Sequence, residues 1–453
     1  MAHRPLACVI LAAGKGTRMK SDLPKVLHRV AGRPMVGHVL AAVKTLDPDH
    51  VVVVVGPGMD SVAAAVAPYP TAVQHEQRGT ADAVRAAFGL LEGFTGDVVV
   101  LYGDTPLVTP DTLRALVQAR RQAADPAVVV LGMRPDDPGA YGRLILNARG
   151  GLEKIVEYLD ASEEERAVTL CNAGLMAFDG ARMFDLIGSV GNDNAKSEYY
   201  LTDVVQIARR AGMACAVVEA APAEVVGVNS RAELAEVEKL LQRRLRKAAM
   251  DNGATLIDPD STFLSVDTRL GRDVVVGPGC FFGAGVTVGD RVEIKPYCHL
   301  EGVRIDSGAV IGPYARLRPG AALGQGVHVG NFVEIKASDL AAGAKVNHLS
   351  YVGDSSVGAN TNIGAGTITC NYDGFGKHFT DIGAGAFIGS NSSLVAPVTL
   401  GDGAYIASGS VITDDVDGDA LAFGRARQKT IPGKGKELRE RFAAAAAAKK
   451  KAG

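Results

Sequence analysis

The chain has 453 residues, 47% of them hydrophobic, and its 48 Lys and Arg against 50 Asp and Glu leave a formal charge of −2. That length exceeds a single hydrophobic core and points to two or three domains. Near-neutrality excludes the global basic field of a nucleic-acid-binding protein, and no stretch reaches the roughly 20 apolar residues of a membrane span.

Met1-Ala2-His3-Arg4-Pro5 and the apolar Leu6 to Ala13 imitate a short secretory leader. The basic region is thin, however, and the apolar run leads straight into Gly14-Lys15-Gly16-Thr17-Arg18, so a buried first strand is expected at Ala7–Leu11. Pro34–Lys44 reads as a helix, Val51–Val55 as a buried strand, Ala81–Leu91 as a helix, and Val98–Leu101 as a strand running into Tyr102-Gly103-Asp104. This alternation predicts a parallel sheet with helices on both faces and ligands at the carboxyl ends of its strands. Arg231–Met250 carries apolar residues at Leu234, Val237, Leu240, Leu241 and Leu245 and stops at Asn252-Gly253. It is expected to be a linker helix over 231–252, between one domain at 1–230 and another at 253–432. The charged and poly-Ala tail at 433–453 is expected to be helical or disordered, and mobile.

From residue 276 onward the chain repeats every six. Aliphatic or aromatic residues recur at Val276, Phe282, Val288, Ile294 and Leu300, slip by one, and resume at Ile305, Ile311, Leu317, Leu323, Val329 and Ile335. A last run covers Ile382, Ile388, Leu394, Leu400, Ile406 and Ile412. Neither a strand period of two nor a helix period of 3.6 explains a strict six. Flat six-residue faces with one inward side chain do, three faces making a rung of a parallel β-helix, with Gly letting the backbone turn at the corners. A Gly-rich β-sandwich would not hold this register.

The six cysteines, Cys8, Cys171, Cys215, Cys280, Cys298 and Cys370, form no C-x-x-C pair and no cluster with His, as free thiols in a reducing cytosol would. Near the N-terminus, Leu11-Ala12-Ala13-Gly14-Lys15-Gly16-Thr17-Arg18-Met19 precedes Leu23-Pro24-Lys25. Small residues let backbone N–H groups approach a polyphosphate, and Arg18 and Lys25 supply compensating charge. The loop is neither a Walker A motif nor a complete G-x-G-x-x-G.

L-A-A-G-x-G-T-R-M with a downstream P-K resembles the nucleotidyltransferases that make nucleoside-diphosphate sugars. The resemblance implies that Leu11, Ala12, Ala13, Gly14 and Arg18 hold the nucleoside triphosphate and that Lys25 contacts a phosphate. It makes Gln74, Gly79 and Thr80 the uracil-reading segment, and Tyr102-Gly103-Asp104 the metal-binding strand end with Asn229 as second ligand. Gly142, Glu157 and Asn172, with the segment Glu198 to Asp203, would contact the sugar, although Tyr199 and Tyr200 suit packing equally well. Sugar-1-phosphate attack on an α-phosphorus needs alignment and charge neutralisation rather than a protein nucleophile, and Mg²⁺ on hard oxygen ligands suits it.

In the repeat half, Asn347-His348-Leu349-Ser350-Tyr351 sets a His and a Tyr beside a turn, and Thr369 to His378 breaks the period between Ile363 and Ile382. Insertions in solenoids go to surface loops, which commonly build sites. These segments resemble the hexapeptide-repeat acyltransferases. With both halves in this order, the chain resembles the family of bifunctional N-acetylglucosamine-1-phosphate uridylyltransferases/glucosamine-1-phosphate N-acetyltransferases from about Leu6 to Pro432. The resemblance implies an α/β nucleotidyltransferase (Rossmann-like) domain followed by a left-handed parallel β-helix, in a cytoplasmic homotrimer with acetyltransferase sites between chains. Flat, partly apolar faces on the β-helix agree with association.

Carried over, His348 would be the general base. Arg318, Lys336, Tyr351, Asn362 and Lys377 would hold the amino-sugar phosphate. Ala365, Asn371, Tyr372, Ser390, Ser408 and Arg425 would line the acetyl-CoA site. The residue types fit: a neutral imidazole can take the amine's proton, a donor such as the Ser390 hydroxyl can meet the oxyanion, and cations can meet the phosphate. The expected substrates are glucosamine 1-phosphate, acetyl-CoA, N-acetylglucosamine 1-phosphate and UTP, with UDP-N-acetylglucosamine for peptidoglycan and lipopolysaccharide as product. The competing readings are a sugar-1-phosphate nucleotidyltransferase whose β-helix only assembles chains, and a non-catalytic sugar-nucleotide sensor. His28, His38, His50, His75, His299, His328 and His378 have no comparable setting.

Overall fold

The computed structural model describes residues 4–452, so Met1–His3, the start of the leader-like stretch, and Gly453 lie outside it. The chain divides into two compact units. The first runs through Asp251 and includes Phe263–Thr268; the second holds Asn252–Thr262 and the chain from Arg269 onward.

In the first unit, seven strands form the body of a sheet: β1 (Leu6–Leu11), β2 (His50–Val55), β3 (Thr71–Val73), β4 (Asp97–Tyr102), β5 (Val128–Met133), β6 (Cys171–Asp179) and β7 (Cys215–Glu219), ordered β7-β5-β6-β4-β1-β2-β3. Strand β1 lies between β2 and β4 and is parallel to both. Its side chains alternate between two cores. Ala7, Val9 and Leu11 join Ala81, Val84, Met183 and Val204 on one face, while Leu6, Cys8 and Ile10 join Val36, Val39, Leu113 and Leu116 on the other. Burial on both faces is why the strands read as unbroken apolar runs.

Three details depart from the sequence reading. The sheet is mixed, because β6 runs antiparallel to both β4 and β5. It follows the hairpin of Arg143–Leu146 and Leu152–Val156 instead of a helical crossover, and a parallel strand needs such a crossover. The helix expected at Ala81–Leu91 is two, Thr80–Ala86 and Phe88–Leu91, separated where Ala87 N–H bonds back to Val84 C=O in a tighter turn. The helix expected as a linker spans Arg231–Asp251, and its Val237 is buried with Met19, Val30, Met35, Leu107 and Val228 of the first unit. Phe263–Thr268 returns to the same unit, where Gln242 bonds both backbone groups of Leu264.

The second unit is a parallel β-helix. Val275 pairs with Glu293, and Phe281 with His299, each 18 residues on, so three six-residue faces make one rung. Where the period slips, the spacing drops to 17, as from Glu293 to Val310. Across the insertion it widens to 25, from Asn362 to Phe387. Every residue of the six-period is buried, Ile311, Leu317, Ile335 and Ile388 completely.

The Gly residues that come after the inward aliphatics serve mainly close approach rather than turning. A Cβ on Gly330 would lie 1.9 Å from Asn347 O, and one on Gly389 would lie 2.4 Å from Ser408 N, in each case on the next rung. The turning is done two columns further on, where Tyr297, Tyr314, Phe332, Leu349 and Asn391 hold left-handed φ between 52° and 60°. The tail, Lys434–Ala452, is a helix.

Leu317→Ala should lower the denaturation midpoint of the second unit by the equivalent of about 2–5 kcal/mol, as buried Leu truncations do. Unfolding at the wild-type midpoint would mean that the inward column does not carry the stack.

Candidate active sites

A cavity of about 540 Å³ opens beyond the carboxyl ends of β1 and β4. Its wall includes Leu11, Ala12, Ala13, Gly14, Lys25, Gln74, Gly79, Thr80, Tyr102, Asp104 and Asn229. The loop after β1 is shaped for Lys25: Gly16 has φ 64°, and a Cβ there would lie 2.5 Å from the Cβ of Lys25. The Lys25 ammonium donates to the Asp104 carboxylate and, at 3.1 Å, to Asn229 Oδ1. Two hard oxygen donors from opposite ends of the unit thus converge on a positive charge, the arrangement a divalent cation would use. Arg18 is exposed outside the cavity wall.

Gln74 is buried and donates through Nε2 to Gly79 O and to Asp82 Oδ2, both at 3.0 Å. Its carbonyl oxygen remains to accept from a ligand N–H. The Gly79 loop is clasped by the segment after Glu198. Tyr199 N–H donates to Arg78 O, Ala81 N–H to Tyr199 O, and Leu201 N–H to the Thr80 hydroxyl. Tyr199 also lies under the guanidinium groups of Arg78 and Arg85, so it packs and does not line the cavity.

Gly142, Glu157 and Asn172 meet in a second group beside the cavity. Asn172 N–H donates to Gly142 O, the Glu157 carboxylate lies against Gly142, and Thr202 Oγ1 is 3.4 Å from Glu157 Oε1. Burial pushes the Glu157 carboxyl above its usual range, with Lys196 opposing. Gly103 packs below the wall, on Val26 and Leu11.

Four supporting residues carried no strong sequence signal as site residues. Gln77 donates 2.6 Å to Ala13 O and fixes the loop after β1. Gly174, φ 90°, leaves room for the Tyr102 ring, which would be 2.6 Å from a Cβ there. Glu198 lines the cavity and was visible only as part of a longer segment. Glu233 Oε2 accepts from the N–H groups of Asn229 and Ser230 at 2.6 and 2.8 Å, and the Ser230 hydroxyl faces Glu233 N–H at 3.3 Å. This is a capping box on the Arg231–Asp251 helix, legible as S-x-x-E, and it aims Asn229 at Lys25.

In the β-helix, one corner column holds Asn331, His348, Ala365, Ser390 and Ser408 on successive rungs. The N–H of the residue after each of the last four bonds to the carbonyl of the column member one rung earlier (Leu349 to Asn331, Gly366 to His348, Asn391 to Ala365, Gly409 to Ser390). His348 is exposed, and its Nδ1 lies 2.7 Å from Asn331 Oδ1. Past the corner, Arg318 bonds Glu334 at 2.8 Å, and Lys336 Nζ lies 3.7 Å from Asp354 Oδ2. Asn371 donates to that same Asp354 oxygen and lies 3.4 Å from the Tyr351 hydroxyl. Lys377 stands against Lys336, whose like charge pushes its ammonium below the usual lysine range.

Asp373 folds the insertion into a hairpin. It accepts from the Phe375 and Gly376 N–H groups and sits 2.7 Å from His378 Nε2, which together hold its carboxyl well below the usual range. Tyr372 and Arg425 are exposed, and Asn362 lies between Lys345 and Phe387 on its face.

Residues 8–170 match the MobA-like NTP transferase domain, and residues 267–302 and 379–414 match the bacterial transferase hexapeptide family. The chain is 58% identical over 450 residues to the Bifunctional protein GlmU of Paramagnetospirillum magneticum, with 99% of each covered. It is 61% identical over 427 residues to that of Rhodospirillum rubrum, covering 94% of this chain and 96% of the relative. To that of Xanthobacter autotrophicus it is 58% identical over 443 residues, covering 97% and 98%. The chain belongs to the GlmU family. As a GlmU member it is a bifunctional enzyme, a uridylyltransferase and an N-acetyltransferase acting on small molecules with UTP and acetyl-CoA, and its hexapeptide repeats form a left-handed β-helix.

Gly79 has φ 130°, and a Cβ there would lie 2.5 Å from Tyr199 O. Gly79→Ala should therefore open the clasp and cut uridylyl transfer on the order of 10²-fold while acetyl transfer persists. A wild-type kcat/KM for UTP would show that the clasp does not shape the site.

Proposed function

We propose that the second unit acetylates glucosamine 1-phosphate with acetyl-CoA and that the first unit couples the product to UTP, giving UDP-N-acetylglucosamine and pyrophosphate. What carries this reading is the insertion of Thr369 to His378, which interrupts the hexapeptide repeat and sets Asn371 beside Tyr351 and Lys377 beside Lys336, past the corner from His348. A β-helix that only assembled chains would have no use for two lysines held against each other.

In acetyl transfer, the sugar amine attacks the thioester carbonyl, forming the N–C bond and releasing CoA thiolate. His348 takes the proton the nitrogen loses, and the thiolate takes up another. Arg318, Lys336 and Lys377 neutralise the sugar phosphate, Tyr351 and Asn362 orient the ring, and the Ser390 hydroxyl faces the oxyanion. Ala365, Asn371, Tyr372, Ser408 and Arg425 receive the CoA.

In uridylyl transfer, an oxygen of the sugar phosphate attacks the α-phosphorus in line as pyrophosphate leaves. Lys25 tracks the phosphates, with Arg18 outside the cavity wall serving longer-range attraction. The loop from Leu11 to Gly14 cradles the triphosphate. Gln74, Gly79 and Thr80 read the base, while Gly142, Glu157 and Asn172 grip the sugar. The oxygens of Asp104 and Asn229, already gathered around an ammonium, would hold Mg²⁺, which would neutralise charge across the phosphates.

We assign the N-terminal chemistry to 1–230 and the acetyl chemistry to 253–432, in a cytoplasmic enzyme serving cell-wall and lipopolysaccharide synthesis. Among the described residues, no helix is long and apolar enough to cross a membrane. A homotrimer is supported by the corner column beside His348. Tyr297, Tyr314, Phe332 and Leu349 are 55%, 48%, 56% and 63% exposed, and the three rings stack with centroids 5.1 and 5.3 Å apart. Left-handed φ costs a non-Gly residue about 1–2 kcal/mol, and Gly fills the same column at Gly279, Gly366 and Gly409, so something selects these bulky side chains.

Free thiol and pyrophosphate, monitored separately with glucosamine 1-phosphate, acetyl-CoA, UTP and Mg²⁺, test the scheme. Both should appear, pyrophosphate only when acetyl-CoA is present. Pyrophosphate from N-acetylglucosamine 1-phosphate without any thiol release would reduce the β-helix to an assembly domain. His348→Ala should lower acetyl transfer roughly 10²–10⁴-fold and spare uridylyl transfer to supplied N-acetylglucosamine 1-phosphate, with Asp104→Ala doing the reverse; joint loss in either variant, with each activity assayed on its own substrate, would refute the division of labour. Phe332→Glu should dissociate the assembly in sedimentation and depress only acetyl transfer. An unchanged oligomer would remove this column from the interface.

A further inference from the structure

Asn331 and His348 are stacked partners on adjacent rungs, joined side chain to side chain at 2.7 Å between Oδ1 and Nδ1. An amide oxygen can only accept, so this contact requires a proton on Nδ1 and leaves Nε2 with its lone pair. A neutral imidazole in water mostly carries its proton on Nε2, the wrong nitrogen for a base whose outward atom is Nε2. We infer that Asn331 is a positioning residue for acetyl transfer, fixing the tautomer and ring orientation of His348 so that Nε2 accepts the amine proton. This rests on the reading of His348 as the base.

The choice of Asn over Asp has a chemical consequence. An acceptor without net charge orients the ring but does not stabilise the imidazolium, so the base stays neutral at lower pH than it would beside a carboxylate. The titratable groups nearest His348 on the stacked rungs are His328 and, past the corner, Glu334 and Lys336 on the preceding rung, with Lys345 on its own strand and Tyr351 and Asp354 beyond the turn. The next rung, 361–366, has none. Gly330 is part of the same device. The rung bearing His348 approaches it so closely that a Cβ would meet Asn347 O at 1.9 Å, and this brings the Asn331 amide within reach of the ring.

The test compares Asn331→Leu, Asn331→Asp and His348→Ala in the full-length enzyme, measuring thiol release against pH, with pyrophosphate release from supplied N-acetylglucosamine 1-phosphate and UTP as the internal check on folding. Asn331→Leu should lower kcat for acetyl transfer on the order of tenfold, with KM for acetyl-CoA nearly unchanged. Asn331→Asp keeps an acceptor, so it should recover activity as pH rises, with its acid limb displaced to higher pH than in the wild type. Asn331→Leu within twofold of wild type at every pH would overturn the inference while leaving His348 as base. Asn331→Asp inactive throughout would overturn it differently, showing that the amide donates to Nδ1. Full thiol release by His348→Ala would instead sink the reading on which it rests.

Discussion

Neighbouring parallel strands lie about 4.8 Å apart, and the second unit inherits its chemistry from that spacing. Residues one rung apart cannot avoid each other, so a site on a β-helix is built from columns rather than from loops converging on a cleft. One column places Asn331, His348, Ala365, Ser390 and Ser408 in line; its neighbour turns the corner with left-handed residues. Because the two columns are adjacent, any side chain allowed in the turning column stands beside the imidazole. The bulky residues there and the polar residues here are thus one design constrained by one turn. The strict period gives way in rungs of 17 and 25 residues; the 17-residue spacing recurs at this site after an earlier slip at Glu293–Val310, and the 25-residue rung directly follows it.

The first unit solves the same placement problem by another route. Strands β1 and β4 run side by side, so the loops leaving Leu11 and Tyr102 open on the same edge of the sheet. Glycines then remove obstacles: Gly16 for the stem of Lys25, Gly79 for the backbone of Tyr199, Gly174 for the ring of Tyr102. Asn229 arrives from far along the chain and is aimed by the cap of the Arg231–Asp251 helix. That helix therefore does more than connect, since its first turn holds half of the oxygen pair around Lys25.

These devices explain which parts were legible in sequence. The six-period has one physical cause, an inward side chain per face, and every residue it marked is buried. The L-A-A-G-x-G loop was legible because close approach demands small residues in consecutive positions. The antiparallel β6 was not, because a buried strand looks alike in either direction and only its connection tells. Asn331 was hidden for a related reason: it is 17 residues from His348, and that separation means contact only once the slipped rung is known. Gln77 and Gly174 support their neighbours through one backbone carbonyl and one ring edge, neither of which leaves a pattern in composition. Arg18 sat inside a true motif yet stands outside the cavity wall, since the short turn at Thr17–Met19 directs successive residues to different sides.

Both sites also satisfy themselves internally. Lys25 neutralises Asp104 while bridging to Asn229, and Asp354 holds Asn371 close to Lys336. Left alone, the Asp104 carboxylate would face the carboxamide oxygen of Asn229 across the cavity, and Lys336 would face Lys377 without relief; either would tend to splay the site. The internal counter-charges keep the groups gathered, so an anionic substrate meets a formed site and spends little of its binding energy on ordering side chains. They also set a limit. Asp354 stands beside the lysines as Glu334 stands beside Arg318, so the net positive field of this face is that of three cations less two carboxylates. A face so balanced would attract an anion without holding it fast.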